Sequence, residues 1–312
     1  MTAPLFQSSG DLIADRRFAI AQELSTRGEL AGAADLLAQA IEAAPRFASA
    51  WFALGEVREK LGNRDAAITA FQQVCALDPE DRLGAGLHLV RLGALAPGDM
   101  PAAYVRTLFD QYAPRFDTAL TENLGYRGPQ VLHDAVAAAC AADGRPMRFD
   151  TMLDLGCGTG LAGAAFRPFV IELTGVDLSE RMVAAARAKN VYDRLATGDL
   201  VQFLQAEAGE GRRYALIAAA DVFAYLAWLP SVLAAAARAL APGGFLAFTV
   251  ETHAGDDVIL GEKLRYQHGA AHVRGAIAGA GLTLLSIAAA STRQEAGIAV
   301  PGLIVVAKRP TQ

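Results

Sequence analysis

A glycine-rich turn between a predicted strand and a predicted helix restricts the fold of this chain more than any other feature. Residues 152–160 read MLDLGCGTG, an apolar run that passes into the alternating glycines Gly156, Gly158 and Gly160. Glycine is needed where the backbone turns sharply and approaches a ligand closely, because a Cβ atom would block both. At the carboxyl edge of a parallel sheet, a turn of this kind binds ligands. The segment predicts an α/β domain with a ligand site after its first strand.

The sequence that follows Pro146 supports a doubly wound α/β domain. Short apolar runs alternate with helical periodicity, which is the pattern of successive βαβ units. The predicted strands cover residues 151–155, 171–177, a short stretch near Leu195, 214–220, 244–251, 282–288 and 302–308. The predicted helices between them cover residues 161–167, 179–189, 229–240 and 270–280.

The N-terminal part has a different character, because it repeats with an offset of 34 residues. The offset aligns Gly28 with Gly62 and Pro45 with Pro79. The second unit resembles a tetratricopeptide repeat, in which large residues fill the space between two antiparallel helices and small residues allow close crossing. A generic pair of helical hairpins is the alternative. We predict a repeat domain over residues 1–100, a helical linker over 101–145 and a ligand-binding domain over 146–312.

Composition and charge argue against several classes of protein. The net charge is −5 with a pI of about 5.6 and no basic stripe, which disfavours nucleic-acid substrates. The three cysteines have no CxxC spacing and no HExxH pair occurs, so we expect reduced thiols and no metal site. No apolar run is long enough to span a membrane, and we expect a cytoplasmic protein.

The spacing of the glycines distinguishes between cofactors. A dinucleotide-binding turn needs a glycine at position 161, where this chain has Leu161. The pattern DxGxGxG that starts at Asp154 instead resembles motif I of class I methyltransferases that depend on S-adenosylmethionine. That resemblance implies that Asp154 binds the ammonium group of the cofactor, directly or through water. It also implies that the turn lines the methionine and ribose portions, through Gly156, Cys157, Gly158 and Gly160.

Acidic residues at the ends of the next two strands complete the predicted cofactor site. Asp177 can accept hydrogen bonds from both ribose hydroxyls, while its alternative role as a helix cap is better filled by Ser179. In the methyltransferases the acid at the position of Asp199 commonly accepts a bond from the adenine amino group, although a loop aspartate also stabilises turns without a ligand. Three apolar neighbours complete the predicted set: Leu178, Leu200 and Met182. For Met182, core packing is an equal alternative.

The segment after the fourth strand bears on the acceptor. Asp221-Val-Phe-Ala-Tyr225 lacks the Asn/Asp-Pro-Pro-aromatic element of amino-directed DNA and protein-glutamine methyltransferases, and the chain has no Pro-Cys nucleophile. The segment resembles that of members of the superfamily that act on small molecules.

Nearly the whole chain resembles the tetratricopeptide-repeat-containing methyltransferases, a branch near the ubiquinone and menaquinone biosynthesis type. The resemblance includes residues 108–117, 124–129 and 264–268. It implies methyl transfer and a Rossmann-like seven-stranded sheet of order 3-2-1-4-5-7-6 with strand seven antiparallel. It also implies that the linker helices cover the cofactor as a lid, with Tyr126, and less directly Tyr112 and Arg127, near its carboxylate.

A general base is needed only if the acceptor must lose a proton, because methyl transfer depends mainly on alignment and desolvation. His268 is the first candidate for such a base and Tyr225 the second, followed by His272 and Glu251; the alternative for each is a structural role. We expect a small-molecule acceptor. A protein acceptor presented by the repeats remains open, and the repeats could instead dimerise or cover the substrate. Two other functions are an inactive cofactor-binding scaffold and an NAD-dependent oxidoreductase.

Overall fold

The computed structural model describes residues 8–118 and 124–311 and divides into two compact units, Met1–Leu108 and Phe109–Gln312. Each unit has its own buried apolar clusters. Of the described helices, none is long and apolar enough to cross a bilayer.

The first unit is a series of helices joined by short turns. Its helices are α1 (Leu12–Thr26), α2 (Leu30–Ala43), α3 (Ala48–Lys60), α4 (Arg64–Leu77), α5 (Ala85–Arg91) and α6 (Ala102–Tyr112), the last of which continues into the second unit. The two glycines aligned by the 34-residue offset follow α1 and α3 with left-handed φ angles of 82° for Gly28 and 77° for Gly62. Glycine is favoured there because a left-handed residue commonly ends a helix. Gly55 lets α3 and α4 approach closely, since a Cβ on it would lie 2.6 Å from the Phe71 ring.

The second unit is an α/β domain. Its helices are α7 (Phe116–Thr118), α8 (Gly128–Ala142), α9 (Leu161–Phe166), α10 (Glu180–Ala188), α11 (Leu200–Gly209), α12 (Leu229–Ala239) and α13 (Ala270–Gly279). Its strands are β1 (Phe149–Leu155), β2 (Val170–Asp177), β3 (Arg194–Thr197), β4 (Tyr214–Ala219), β5 (Leu240–Glu251), β6 (Val258–Leu260), β7 (Tyr266–His268), β8 (Thr283–Ala289), β9 (Gln294–Glu295), β10 (Ile298–Ala299) and β11 (Gly302–Lys308).

The main sheet has the order β3-β2-β1-β4-β5-β11-β8, in which β11 runs antiparallel to both of its neighbours. Numbered among the seven main strands this is 3-2-1-4-5-7-6, which confirms the predicted fold class. The sequence analysis did not predict the β6–β7 and β9–β10 hairpins or helix α11.

The alternation of side chains along β1 places apolar residues on both faces of the sheet. Leu153 and Leu155 pack with the helices α11, α12 and α13, while Met152 packs with α8 and α9. Burial on both faces is expected for a parallel sheet covered by helices. The carboxyl ends of β1, β2 and β4 therefore meet at one edge, where ligands bind in folds of this type.

Candidate functional site

The glycine turn connects β1 to α9 in a conformation that suits glycine. The φ angles are 72° at Gly156, 52° at Gly158 and 92° at Gly160, all in the left-handed region. A side chain at any of these positions would be strained, which explains the alternating pattern. The backbone amides of Gly156 and Cys157 donate to the carbonyl oxygen of Val176 at 2.8 and 2.9 Å. The turn is therefore fastened to the end of β2.

Asp177 lies at the end of β2 and contacts the turn directly. One carboxylate oxygen, Oδ2, accepts from the backbone amide of Gly158 at 2.9 Å, and Oδ1 accepts from that of Ser179 at 2.9 Å. Burial raises the pKa of this carboxyl, and its two backbone donors oppose the rise. Ser179 caps α10 by accepting from Met182 N, so the capping role falls to Ser179 as predicted. The structure brings Asp177 and the central glycine together.

Asp154 lies beneath the turn, with 1% of its surface exposed. Its Oδ2 accepts from the Tyr192 hydroxyl at 2.6 Å. Burial raises the pKa of Asp154 to about 6, and the negative charge of Asp177 adds to the rise. The sequence analysis did not identify Tyr192, because 38 residues separate it from Asp154.

Asp199 lies at the start of α11, where its Oδ1 accepts from Val201 N at 3.0 Å and from Gln202 N at 2.9 Å. The structure therefore shows the turn-stabilising role, and the contact with adenine stays a prediction. Met182 is fully buried, which corresponds to the core-packing alternative. Leu178 and Leu200 are half-buried beside the two acids, and the Cys157 side chain is buried.

The linker segment 109–118 lies over the turn and is held there by two aspartates. Asp110 accepts from the Ser179 hydroxyl at 2.5 Å. Asp117 accepts from the Thr159 hydroxyl and from Lys189 Nζ, the latter at 2.7 Å. Both aspartates follow a phenylalanine, in the pairs 109–110 and 116–117, and this repeated pair is the signal that could have identified them. The segment therefore contacts the turn and both ends of α10, and its role as a lid over the cofactor stays a prediction.

Two of the predicted tyrosines contact phenylalanines of the segment 109–118. The Tyr225 ring meets Phe109 edge to face at 5.2 Å, and the Tyr112 ring meets Phe116 in the same way at 5.8 Å. Tyr126 is half-buried, and its pKa is raised well above the usual value by burial and by the charges of Asp221 and Asp154. Tyr225 and Tyr112 therefore pack against phenylalanines, Tyr126 lies within the field of the motif I acid, and contact of Tyr126 or Tyr112 with a cofactor stays a prediction.

A buried polar network joins the ends of β4 and β5, and the sequence analysis did not identify it. Arg293, 7% exposed, pairs with Asp221 at 3.2 Å through Nη1 and with Glu251 through Nη2. The Thr292 hydroxyl donates to Asp221 at 2.8 Å. Arg265 pairs with Glu251 at 2.6 Å. Because these carboxylates are already paired, Glu251 is poorly suited to act as a base.

His268 presents no surface to a substrate, because its side chain is fully buried. Its Nε2 lies 3.3 Å from the carbonyl oxygen of Phe223, and its ring stacks on His272 at 5.7 Å. Burial lowers the pKa of His268 to about 4, which favours the neutral ring. The predicted role of His268 as general base does not agree with this burial, since a base must reach the proton that it accepts.

Comparisons with known proteins give two family models. Residues 153–246 match a methyltransferase domain, and residues 18–82 match a tetratricopeptide repeat. A comparison with curated protein sequences gives no match.

Among solved structures, the chain is similar to the [4+2]-cyclase SpnF, with 17% identity over 67% of this chain and 96% of that chain and a TM-score of 0.52. It is also similar to an S-adenosylmethionine-dependent methyltransferase from Clostridium acetobutylicum, with 16% identity over 65% and 99% of the two chains and a TM-score of 0.48. The N-methyltransferase NodS from Bradyrhizobium japonicum, in complex with S-adenosyl-L-homocysteine, is 23% identical over 57% and 85% of the two chains, with a TM-score of 0.44. The likeness to SpnF shows the fold, and since that protein is a cyclase, the fold alone does not decide the reaction.

Proposed function

We propose that this chain, a class I methyltransferase that uses S-adenosylmethionine and carries tetratricopeptide repeats before its catalytic domain, methylates a small molecule. One observation carries the proposal: the carboxylate of Asp177 accepts a hydrogen bond from the backbone amide of Gly158, in a turn that contains three left-handed glycines. An acid beside a turn of glycines suits a ribose that must lie directly on the backbone.

The residues of the turn fit a cationic adenosyl ligand. The nearest atom to the position of an added Cβ on Gly158 is Cε1 of Phe116 at 3.7 Å, so the segment 109–118 packs directly on the main chain of the turn. Asp154 and Asp177 supply negative charge next to the turn, which complements an ammonium and a sulfonium group. Asp177 can accept hydrogen bonds from the ribose hydroxyls through the lone pairs that its backbone donors leave free.

Bound S-adenosylmethionine would supply an electrophilic methyl group on sulfur. The acceptor atom would form its bond to that carbon as the carbon–sulfur bond breaks, with S-adenosylhomocysteine as the leaving product. The chain positions the cofactor and excludes water from it. The turn and Asp177 hold the cofactor in place, and the segment 109–118 covers the turn. Tyr225, in the segment after β4 and in edge-to-face contact with Phe109, is the candidate to orient the acceptor.

A small acceptor is favoured by the segment after β4. It lacks the proline pair that the amino-directed DNA and protein-glutamine methyltransferases have there, and its acid, Asp221, is paired with Arg293 and Thr292. A protein presented by the repeats is the second candidate acceptor, favoured by the tetratricopeptide match. An inactive cofactor-binding scaffold and an NAD-dependent oxidoreductase are the alternatives that the binding experiment also addresses.

The first test is calorimetric titration with S-adenosylmethionine and S-adenosylhomocysteine. NADH is titrated in parallel as the control for the oxidoreductase alternative. Asp177→Asn keeps the size and one acceptor oxygen but removes the charge, so we expect at least a tenfold loss of affinity. Asp143→Asn is the matched control, since it removes a carboxylate from a surface pair with Lys308 at 2.6 Å. It should leave the affinity unchanged. Absence of adenosyl binding by folded protein would refute the proposal, and NADH binding in its place would favour the oxidoreductase.

The second test separates the acceptors. The protein is incubated with methyl-labelled S-adenosylmethionine and either the small-molecule or the protein fraction of a cell extract. Label in the small-molecule fraction supports the proposal. Label only in protein supports the alternative acceptor, and cofactor binding without any transfer favours the scaffold.

A further inference from the structure

Tyr192 is joined to the cofactor turn by contacts that the proposed function has not used. Its hydroxyl donates to the buried Asp154 at 2.6 Å. Its ring lies against three glycines, where an added Cβ would approach the tyrosine to 3.0 Å at Gly160, 2.2 Å at Gly163 and 2.8 Å at Gly175. These glycines come from the turn, from α9 and from β2. The ring therefore fills a space that all three elements leave open.

The position of Tyr192 is fixed by the residue that follows it. The Asp193 amide donates to the carbonyl oxygen of Leu173 at 2.9 Å, and Asp193 Oδ2 accepts from the Leu173 amide at 2.7 Å. Arg167 pairs with the same carboxylate at 2.6 Å. The loop before β3 is thus hydrogen-bonded to both the carbonyl and the amide group of Leu173 in β2. The ring of Tyr192 therefore has little freedom to leave its position.

We propose that Tyr192 is a positioning residue of the cofactor site: its hydroxyl holds the Asp154 carboxylate beneath the glycine turn, where the charge attracts the ammonium group of the cofactor. This inference rests on the proposed function. It predicts that Tyr192 affects the binding of the amino-acid end of the cofactor and not the binding of the adenosine.

Besides burial and Tyr192, the Gly163 backbone amide and the Asp177 carboxylate act on Asp154: the amide lowers its pKa and the charge of Asp177 raises it. Asp154 in turn raises the pKa of the nearby Cys157 thiol and Tyr126 phenol. Burial raises the pKa of both the thiol and the phenol, so these stay neutral at ordinary pH. The Tyr192 hydroxyl donates to Asp154, so removing it acts first on the pKa of that carboxyl, and a pH-dependent difference in affinity between the two proteins reports on Asp154.

The sign of that difference follows from the hydroxyl. Burial raises the pKa of Asp154 to about 6, and the bond from Tyr192 opposes the rise. Ammonium binding favours the ionised carboxylate, so affinity for a ligand with an ammonium group falls as pH drops below about 6 in the wild type. Without the hydroxyl the pKa of Asp154 rises further, and the fall in affinity begins at higher pH.

The experiment uses the full chain, Tyr192→Phe, and two ligands. S-Adenosylhomocysteine has the ammonium group, whereas 5′-methylthioadenosine has the same adenosine without the amino-acid end. Phe keeps the ring among the glycines and removes only the donor. Tyr214→Phe is the matched control, because Tyr214 is a buried tyrosine that donates to another carboxylate, Glu207, at 2.5 Å.

At pH 7 we expect Tyr192→Phe to lower the affinity for S-adenosylhomocysteine about tenfold and the affinity for 5′-methylthioadenosine less than twofold. The loss should grow toward pH 6 and shrink toward pH 8.5. Tyr214→Phe should change the affinity for neither ligand. Equal loss for both ligands at every pH, or no loss for either, would overturn the proposal. If the wild type binds neither ligand, the proposed function itself fails.

Gly163→Ala tests the same inference from the opposite side of the contact and serves if Tyr192→Phe does not fold. An added Cβ would meet the Tyr192 hydroxyl at 2.2 Å and displace it from Asp154. Gly275→Ala, in α13 with no atom within 4 Å of the added Cβ, controls for a helical glycine. The first substitution should reproduce the ligand-selective loss, and the second should not. Unchanged selectivity in Gly163→Ala would contradict the inference.

Discussion

Gly156 combines two restrictions that can be separated by substitution. Its φ is 72°, and an added Cβ would lie 2.5 Å from Val222 Cγ2. Gly211 has a φ of 80° but no atom within 4 Å of its added Cβ. Alanine should therefore cost about 1–2 kcal/mol of unfolding free energy at Gly211, where only backbone strain acts. At Gly156 it should cost more, because Val222 must also move.

Ligand binding separates these two glycines further. Gly156→Ala should weaken S-adenosylmethionine at least tenfold, since Val222 and the turn cannot both keep their positions, whereas Gly211→Ala should not change the affinity. Urea unfolding measures the first quantity and calorimetry the second. Equal effects of the two substitutions on binding would show that the contact with Val222 does not shape the turn.

Residues of the site differed in how far the sequence could predict them. The glycines and Asp177 were predictable because local backbone geometry and the end of a strand determine their roles. Tyr192 and Arg293 were not, because their partners Asp154 and Asp221 are distant along the chain. His268 was the first candidate for a base, and its burial follows only from the packing of the β7 end against residues 223–225.

At the scale of elements, the main strands were predictable because each is an apolar run between turn residues. The β6–β7 hairpin was not, since strands of three residues have no periodicity to detect. Helix α11 follows Asp199, which we considered for a ligand or for stabilising a turn but not for a helix start. Its capping bonds to Val201 and Gln202 show that the same residue also marked a helix start.

The covering segment 109–118 offers a prediction at this scale. Asp110→Asn combined with Asp117→Asn weakens the bonds to Ser179, Thr159 and Lys189 that hold it on the turn. We expect faster hydrogen exchange of the amides in 109–118 and a several-fold faster dissociation of S-adenosylmethionine, because the cover opens more often.

Asp134→Asn is the control for the cover, since Asp134 is an exposed residue of α8. It should change neither exchange nor dissociation. If exchange in 109–118 rises while the dissociation rate stays the same, the segment does not retain the cofactor.

At the scale of the whole molecule, the two units have separate buried clusters, and the residues that the proposed function assigns to the cofactor all belong to the second unit. A ligand stabilises the structure that binds it by RT ln(1 + [L]/Kd), about 2.7 kcal/mol at a concentration of 100 times Kd. If the units unfold separately, this stabilisation should appear only in the second. Amides of β1 and β4 should then exchange more slowly with S-adenosylmethionine, while those of α2 and α4 should not change.

Hydrogen exchange with and without saturating ligand measures both units in one sample, and Asp177→Asn should abolish the protection in β1 and β4. Slower exchange in α2 and α4 would contradict separate unfolding. It would mean that the free energy of cofactor binding reaches the repeats, and therefore that a partner bound to the repeats would alter cofactor affinity by the same factor, since coupling between two sites is reciprocal. Unchanged exchange in the repeats would show that cofactor binding is not coupled to their folding.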